Sequence, residues 1–221
     1  MAHYYDKKYP YLRYSYPDGI MCSVPPILLA GFYKAYFGKT PKTFFDCGAA
    51  NGVIVQMALD CGMDAYGVEI RRYGEQKHPY VMDIKCHRVN GERGYFAKMA
   101  FPDNRLNNLF DSGRIQIKSI LDCEPVKADL VYCNGILTYF DEATLSRVLA
   151  KFKNVKMLCA IHNTTEDYMV AEKMGDKLGT CQELKTVKSN EWWIETFNQN
   201  GFDAVFNHWL RCFVAIPNKE R

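Results

Sequence analysis

The sequence has no apolar run long enough to cross a membrane. Its longest such run, Val24–Tyr33, is too short for a bilayer and is interrupted by Pro25-Pro26. The first residues, Met1–Lys8, are polar and aromatic and lack the apolar core of a secretory signal. We therefore expect a cytoplasmic protein without a membrane-spanning segment.

The sequence also lacks the cysteine spacing of a structural metal site. It has nine cysteines, but none forms a C-x-x-C pair and none lies in a Cys/His cluster of the kind that binds zinc. We therefore expect no metal site. The number of cysteines is odd, and several lie in apolar runs such as Leu130–Cys133 and Leu158–Ile161. This pattern favours reduced, mostly buried thiols over a disulfide framework.

Neither sign of charge dominates the chain. The net charge is +3, from 28 basic and 25 acidic residues, so the composition neither requires nor excludes an anionic partner. The dense basic stripe that is typical of dedicated nucleic-acid-binding proteins is missing. We interpret the most basic stretch, between Arg71 and Arg88, as a solvated surface.

No internal repeat or low-complexity linker divides the chain. A composition of 48% hydrophobic residues allows a substantial core, and 221 residues suit one α/β domain. Residues 1–20 differ from the rest, because they are rich in tyrosine and contain several prolines. Pro26–Phe37 has a helical pattern that ends at Gly38. We therefore divide the chain into an aromatic-rich arm and helix, 1–40, and a main domain, 41–221.

From residue 43 onward, strand and helix patterns alternate. This alternation predicts a mostly parallel sheet with helices on both faces, and the two closely spaced last strands predict an antiparallel end. Segment 71–113 is long for one crossover, so we expect a helix at Tyr95–Ala100, at Arg105–Phe110 or at both, with an irregular insert. The predicted strands are Thr43–Cys47, Ala65–Ile70, Arg114–Ile120, Leu130–Cys133, Lys156–His162, Ala204–Trp209 and Arg211–Ile216, and the predicted helices are Gly52–Cys61, Glu142–Phe152 and Glu191–Gln199.

The first predicted strand ends in an acidic residue, Asp46, and then turns through the small residues of Cys47–Gly52. Small residues let a ligand approach the backbone, and the following helix presents unpaired N–H groups. In dinucleotide-binding proteins this helix end faces a pyrophosphate, which a carboxylate at Asp46 would repel. The carboxylate suits a ligand with a cationic amino group, such as S-adenosylmethionine (SAM).

The second predicted strand also ends in a carboxylate, Glu69, which follows Asp46 by 23 positions. A carboxylate at this place accepts both ribose hydroxyls of a nucleoside. NAD sites and SAM sites share this feature. Glu69 therefore indicates a nucleoside ligand, and Asp46 favours SAM among such ligands.

Phe44–Ile70 resembles the first motif and second strand of the class I SAM-dependent methyltransferases, with Ala50 in place of the middle glycine of the loop. The resemblance extends to about Ile216. It implies a single Rossmann-like domain with a mostly parallel seven-stranded sheet, helices on both faces and an antiparallel last strand. It also implies that the protein is a methyltransferase with SAM as its cofactor.

The resemblance also assigns residues to the cofactor. Ile117–Asp122 resembles the family's third strand and the acidic residue after it, which reaches the adenine amino group. Asn134 follows the fourth strand and would lie near the reactive methyl group. The cofactor-binding residues that the resemblance implies are Asp46, Cys47, Gly48, Ala50, Asn51, Gly52, Glu69, Ile70, Leu121, Asp122 and Asn134.

His162 is the candidate catalytic residue, because it ends the fifth predicted strand at the same edge of the sheet. It could deprotonate or orient an acceptor, or it could be a hydrogen-bonded histidine in a turn. The nearby pair Trp192-Trp193 is interpreted as core and not as a substrate platform. The tyrosine-rich arm could cover the site as a lid, pack on the sheet edge or form a dimer contact, and the oligomeric state stays open.

The acceptor class follows from what the sequence does not contain. Enzymes that methylate base amino groups often have an Asn/Asp-Pro-Pro-aromatic run after the fourth strand, where this chain has Asn134–Leu137. The Lys-Asp-Lys-Glu tetrad of ribose methyltransferases is not recognisable either. We therefore favour a small molecule or a protein side chain as the acceptor. The alternatives are an RNA or DNA acceptor and a catalytically silent SAM-fold partner protein.

Overall fold

The structure is a computed structural model that describes residues 24–72, 80–85, 95–162, 164–167, 169 and 184–218, with backbone alone for 80–85 and 95–100. The tyrosine-rich arm, for which a lid role is one prediction, lies outside these residues. The helices are α1 Pro26–Phe37, α2 Val53–Asp60, α3 Arg105–Asp111, α4 Glu142–Ala150 and α5 Asn190–Gln199. The strands are β1 Thr43–Cys47, β2 Asp64–Glu69, β3 Tyr80–Lys85, β4 Tyr95–Phe101, β5 Ile115–Ile117, β6 Leu130–Asn134, β7 Met157–Ile161, β8 Phe202–Asn207 and β9 Cys212–Pro217.

Seven of these strands form one sheet, in the order β5-β2-β1-β6-β7-β9-β8. The pairs among β5, β2, β1, β6 and β7 are all parallel. Strand β9 is antiparallel to both of its neighbours, β7 and β8. The predicted fold class, a mostly parallel seven-stranded sheet with an antiparallel last strand, is therefore confirmed.

Helices cover both faces of the sheet, as predicted. Successive residues of a strand point to opposite faces, so a central strand such as β6 must be apolar on both sides. Helices α4 and α5 pack on one face, through residues such as Leu145 and Phe197. Helices α1, α2 and α3 pack on the other, where Leu29, Val55 and Leu106 are fully buried. Each such side chain contributes about 1.5–3 kcal/mol by leaving water.

The helix ends follow the capping rules that the sequence suggested. Helix α1 begins with Pro26 and ends at Gly38, whose φ of 71° is left-handed and whose N–H donates to the Lys34 carbonyl. Helix α4 begins after Asp141, whose carboxylate accepts the Thr144 N–H at 2.8 Å. The predicted bounds of α1 are therefore confirmed.

Two predictions between residues 71 and 120 need correction. The helix considered at Tyr95–Ala100 is wrong, because this segment is strand β4 and pairs antiparallel with β3. In a short apolar run, the spacing of the apolar residues does not distinguish a helix from a strand. The presence of a pairing strand then decides the conformation. The alternative helix, at Arg105–Phe110, is confirmed as α3. Strand β5 ends at Ile117, three residues before its predicted end, because a short 3₁₀ turn begins at Ile120.

Three further findings concern the segments that the structure describes. Their helices include none with the length and apolar character that crossing a membrane requires. All six cysteines among them are free, and only Cys61 is exposed. No group of three or more potential metal ligands is found in these segments.

Candidate functional site

The predicted site residues lie at one edge of the sheet. Strands β1, β2, β6 and β7 run parallel, so their carboxyl ends meet at that edge. The register pairs Cys47 with both Val68 and Cys133, and it pairs Asn134 with Ile161. In open α/β sheets, ligands bind in the crevice outside this edge.

The loop after β1 is held against β2 by its own backbone. The N–H groups of Gly48 and Ala49 both donate to the Val68 carbonyl oxygen, at 3.0 and 2.9 Å. Gly52, with a φ of 88°, leads directly into α2, and a Cβ there would lie 2.8 Å from the Ile115 side chain. A larger residue at Gly52 would therefore be strained at this φ and would push aside the ends of the Ile115 and Leu109 side chains.

Ala50 occupies the position where the family loop has its middle glycine, and the structure shows what this substitution entails. Its φ is 54°, the left-handed region in which a side chain costs about 1–2 kcal/mol. Its N–H donates to Glu69 Oε2 at 2.8 Å. The loop therefore keeps the conformation suited to glycine, because the hydrogen bond to Glu69 and the packing around the loop hold Ala50 in it.

Gly67 and Ile136 belong to this site although sequence reasoning missed them. A Cβ on Gly67 would lie 2.7 Å from the Asp46 carbonyl oxygen and 3.0 Å from the Ala49 Cβ, so the loop packs directly on β2. Ile136 packs against Gly48 from the other side, since a Cβ there would meet its side chain at 3.2 Å. A lone glycine inside a strand pattern signals a close backbone approach, and this signal could have identified Gly67.

Asp46 is the most unusual charged group of the site. Its side chain is 2% exposed, and its Oδ1 has no hydrogen-bond partner among the described residues. Burial, with a smaller contribution from the negative charge of Glu69, raises the pKa of Asp46 to about 8. A nearby cation would reverse this effect and would ionise the carboxyl group.

Glu69 is buried as well, but both of its oxygens are used. Oε2 accepts the Ala50 N–H and Oε1 accepts the Ile70 N–H, each at 2.8 Å. Burial raises the pKa of Glu69, while the two backbone N–H groups and the charge of Arg71 act in the opposite direction. A carboxylate oxygen accepts more than one hydrogen bond, so each oxygen can still take a hydroxyl.

The structure brings most of the other predicted cofactor residues to the same edge. Cys47 and Asn51 are buried, and Oδ1 of the Asn51 side chain accepts the Val53 N–H. Ile70 is half exposed and follows Glu69. The remaining predicted residues are Leu121, which is half-buried, Asp122, which is exposed in the 3₁₀ turn after β5, and Asn134, which ends β6.

His162 directly follows β7, at the same edge as the loop. Its ring stacks on Phe213 at 4.8 Å between ring centroids and lies 3.9 Å from the Trp193 ring. The side chain is 5% exposed, and burial lowers the pKa of His162 to about 3. Trp193 is fully buried, whereas Trp192 is half-buried and the Lys188 ammonium group lies over its ring.

The sequence itself matches no family model and no curated protein. Solved structures, in contrast, share its fold. Magnesium protoporphyrin IX methyltransferase from Synechocystis PCC 6803, with bound S-adenosylhomocysteine (SAH), has a TM-score of 0.52 at 14% identity, over 87% of this chain and 81% of its own. The plantazolicin methyltransferase BpumL, also with SAH, has a TM-score of 0.55 at 9% identity, over 86% and 81%.

A third structure, the small RNA methyltransferase HEN1, has a TM-score of 0.53 at 12% identity and covers 91% of this chain but 26% of its own. The three proteins share the seven-stranded architecture and differ in what their names say they methylate. Identities this low establish the architecture alone. Together with the strand order and the loop after β1, they show that this chain has the fold of the class I SAM-dependent methyltransferases.

Proposed function

We propose that the protein is a SAM-dependent methyltransferase. The observation that carries the proposal is the Asp46 carboxyl group, which is buried at the carboxyl end of β1 with one oxygen unpaired among the described residues. Leaving a buried carboxyl group unpaired costs about 1–3 kcal/mol, so a ligand that pairs with it is the simplest reason for its presence. A ligand with an ammonium group satisfies this requirement.

The residues present fit SAM along its length. Asp46 would pair with the methionyl ammonium group, and Glu69 would accept the ribose hydroxyls with its remaining lone pairs. The backbone between them is lined by small residues that allow close approach. The complete set proposed to hold the cofactor is Asp46, Cys47, Gly48, Ala50, Asn51, Gly52, Glu69, Ile70, Leu121, Asp122 and Asn134.

The chemistry divides simply between cofactor and protein. SAM supplies a methyl group that its sulfonium already activates for in-line displacement. The chain's residues therefore bind the cofactor and the acceptor, align them and exclude water. A base is needed only for an acceptor that must lose a proton. Asp46 and Glu69 would hold the methionyl and ribose parts of the cofactor, while Asn134, at the end of β6, and His162, directly after β7, lie at the same edge of the sheet.

For the acceptor we propose a small molecule or a protein side chain. The free thiols support a cytoplasmic location for this reaction. An RNA or DNA acceptor is the second candidate, and one sequence observation favours it. Residues 71–100, the first part of the 71–113 insert, contain seven basic and three acidic residues, so this stretch alone has a larger net positive charge than the whole chain. Nucleic-acid binding through the insert would weaken steeply with salt.

Calorimetry with SAM and SAH tests the cofactor site. We expect binding to the unaltered chain, a large loss in Asp46→Asn and Glu69→Gln, and no loss in Asp203→Asn, which removes an exposed carboxylate of β8. If neither ligand binds at high micromolar concentration, the proposal is wrong. If the chain binds SAM but transfers no radiolabelled methyl group to metabolite, protein or nucleic-acid pools, it is the silent partner protein instead.

A further inference from the structure

Two buried aromatic rings at the carboxyl end of β7 have nitrogen atoms without hydrogen-bond partners. These atoms are Nδ1 and Nε2 of His162 and Nε1 of Trp193, considered among the described residues. The two side chains are 5% and 0% exposed, and their ring centroids lie 3.9 Å apart. Buried polar atoms in proteins are almost always paired, so three unpaired nitrogens on two touching rings indicate a missing partner.

The rings are fixed by the packing around them. Phe213 stacks on His162 with an angle of 12° between the ring planes, and Trp193 also contacts Phe197 and Trp192. The imidazole therefore has no room to turn toward another partner without displacing this aromatic cluster. A hydrogen-bonding group must come to the rings.

The position of His162 places this cluster next to the residue proposed to lie near the methyl group. The Gly135 N–H donates to the Ile161 carbonyl oxygen at 2.6 Å, and Asn134 pairs in register with Ile161. His162 is thus the first residue beyond the paired ends of β6 and β7. It lies on the opposite side of β6 from β1, the strand that contains Asp46.

Among the described residues, the charged groups that directly follow β7 are paired with other partners. Asp167 accepts two hydrogen bonds from Thr164 and forms an ion pair with Arg211. Glu166 accepts the N–H of Asn190 at the start of α5. Burial is the one influence that moves the pKa of His162, downward to about 3, so the imidazole is uncharged. It offers one N–H and one lone pair, and Trp193 offers a second N–H.

We propose that His162 and Trp193 bind the methyl acceptor, and that they do so through an uncharged acceptor group, a hydroxyl or a heteroaromatic ring nitrogen. Such a group can pair with a donor and an acceptor in an apolar setting. A carboxylate or phosphate would lose its hydration there, and the nearby described cations, Lys188 and Arg211, are already paired with Glu142 and Asp167. In this role His162 orients the acceptor and does not remove its proton. An imidazole with so low a pKa takes up a proton poorly at neutral pH.

A stability measurement tests whether the nitrogens are unpaired. His162→Phe keeps the ring's shape and removes both nitrogens, so we expect Tm of the ligand-free protein to rise by about 2–4 °C. The control is His208→Phe at an exposed histidine, for which Tm stays unchanged. A lower Tm for His162→Phe means that these nitrogens bond within the chain, and it overturns the proposal.

A second measurement uses the unaltered protein and therefore does not depend on the folding of a variant. With SAH bound, nitrogen NMR of the His162 ring and the Trp193 indole is followed during titration with phenol, quinoline and benzoate. We expect phenol or quinoline to shift both signals at millimolar concentration and benzoate to shift neither. No response to the neutral probes, or an equal response to benzoate, contradicts the assignment.

The inference rests on the proposed function, and the two can fail separately. His162→Phe should weaken probe binding about tenfold, and Trp193→Phe should do the same when compared with the control Trp192→Phe. In all of these variants the affinity for SAH should stay unchanged. If SAH does not bind the unaltered chain, the methyltransferase proposal fails, whereas SAH binding without any probe response overturns the acceptor assignment alone.

Discussion

Asp46 and His162 lie at the same edge of the sheet, and each is almost fully buried with a polar atom that no described residue pairs. Their surroundings differ in kind. Asp46 lies beside a second carboxyl group and a loop of backbone N–H groups, whereas His162 lies among aromatic rings. Burial raises the pKa of the first to about 8 and lowers that of the second to about 3.

One edge of the sheet therefore provides two different binding environments. Burial favours the neutral form of both Asp46 and His162. For Asp46, the ammonium group of the proposed ligand would restore the ionised form. No described residue offers the imidazole such a partner, and burial alone moves its pKa. We therefore assign the β1–β2 side to a charged cofactor and the β6–β7 side to an uncharged acceptor group.

The largest expected effect comes from removing the charge on the β1–β2 side. Asp46→Asn should weaken SAM binding by about 100-fold, since a charge-assisted hydrogen bond contributes about 3 kcal/mol. The same change should raise the free energy of unfolding of the ligand-free protein, because it removes a buried ionisable group whose Oδ1 has no partner among the described residues. Calorimetry and thermal denaturation measure the two effects, with Asp203→Asn as control. If Asp46→Asn leaves the affinity for SAM unchanged, the assignment of the β1–β2 side to a charged cofactor is wrong.

The pH dependence of SAM binding gives the next largest effect. Asp46 must be ionised to pair with an ammonium group, so affinity should fall about tenfold per pH unit below about 8. Binding at pH 7 should then release about one proton, which calorimetry in buffers of different ionisation enthalpy detects. The stability of the ligand-free protein changes with pH in the opposite direction. The contribution of Asp46 to stability is complete below its ordinary pKa of 3.8 and is lost as the pH rises toward 8. SAM binding without proton release contradicts this prediction.

Glu69→Gln should show that the two carboxyl groups differ in their effects on binding and stability. We expect a loss of SAM affinity of about tenfold, smaller than that for Asp46→Asn, because the amide keeps one oxygen for a ribose hydroxyl. Stability should fall by about 1–2 kcal/mol, since the Ala50 and Ile70 N–H groups lose a charged acceptor. Urea denaturation of the ligand-free variants provides the measurement. A gain in stability would mean that Glu69 resembles Asp46 and that its hydrogen bonds contribute little.

The smallest expected effect concerns the strained residue of the loop. Ala50→Gly should raise the free energy of unfolding by about 0.5–1 kcal/mol, because glycine adopts the φ of 54° without strain. Ala49→Gly is the matched control and should lower it by a similar amount, since the backbone of Ala49 is not left-handed. Denaturation curves of both variants check the prediction. Equal effects of the two substitutions would show that Ala50 is not strained.

The sequence predicted those parts of the molecule that depend on local pattern. The alternation of apolar runs with helical segments predicted the sheet, and Asp46 with the small residues after it predicted the loop. Tyr95–Ala100 could not be assigned in this way, because its conformation depends on pairing with a distant strand. The surroundings of His162 were equally hidden, since Trp193 and Phe213 reach it from elements far along the chain.

One carbonyl oxygen, that of Val68, accepts both the Gly48 and the Ala49 N–H. The two amide protons are therefore protected by a single acceptor, and one opening motion of the loop exposes both to exchange with solvent deuterium. We expect them to exchange at correlated rates in the ligand-free protein. A bound cofactor would slow the exchange of both amides by a common factor, so their exchange rate would measure how often the loop opens.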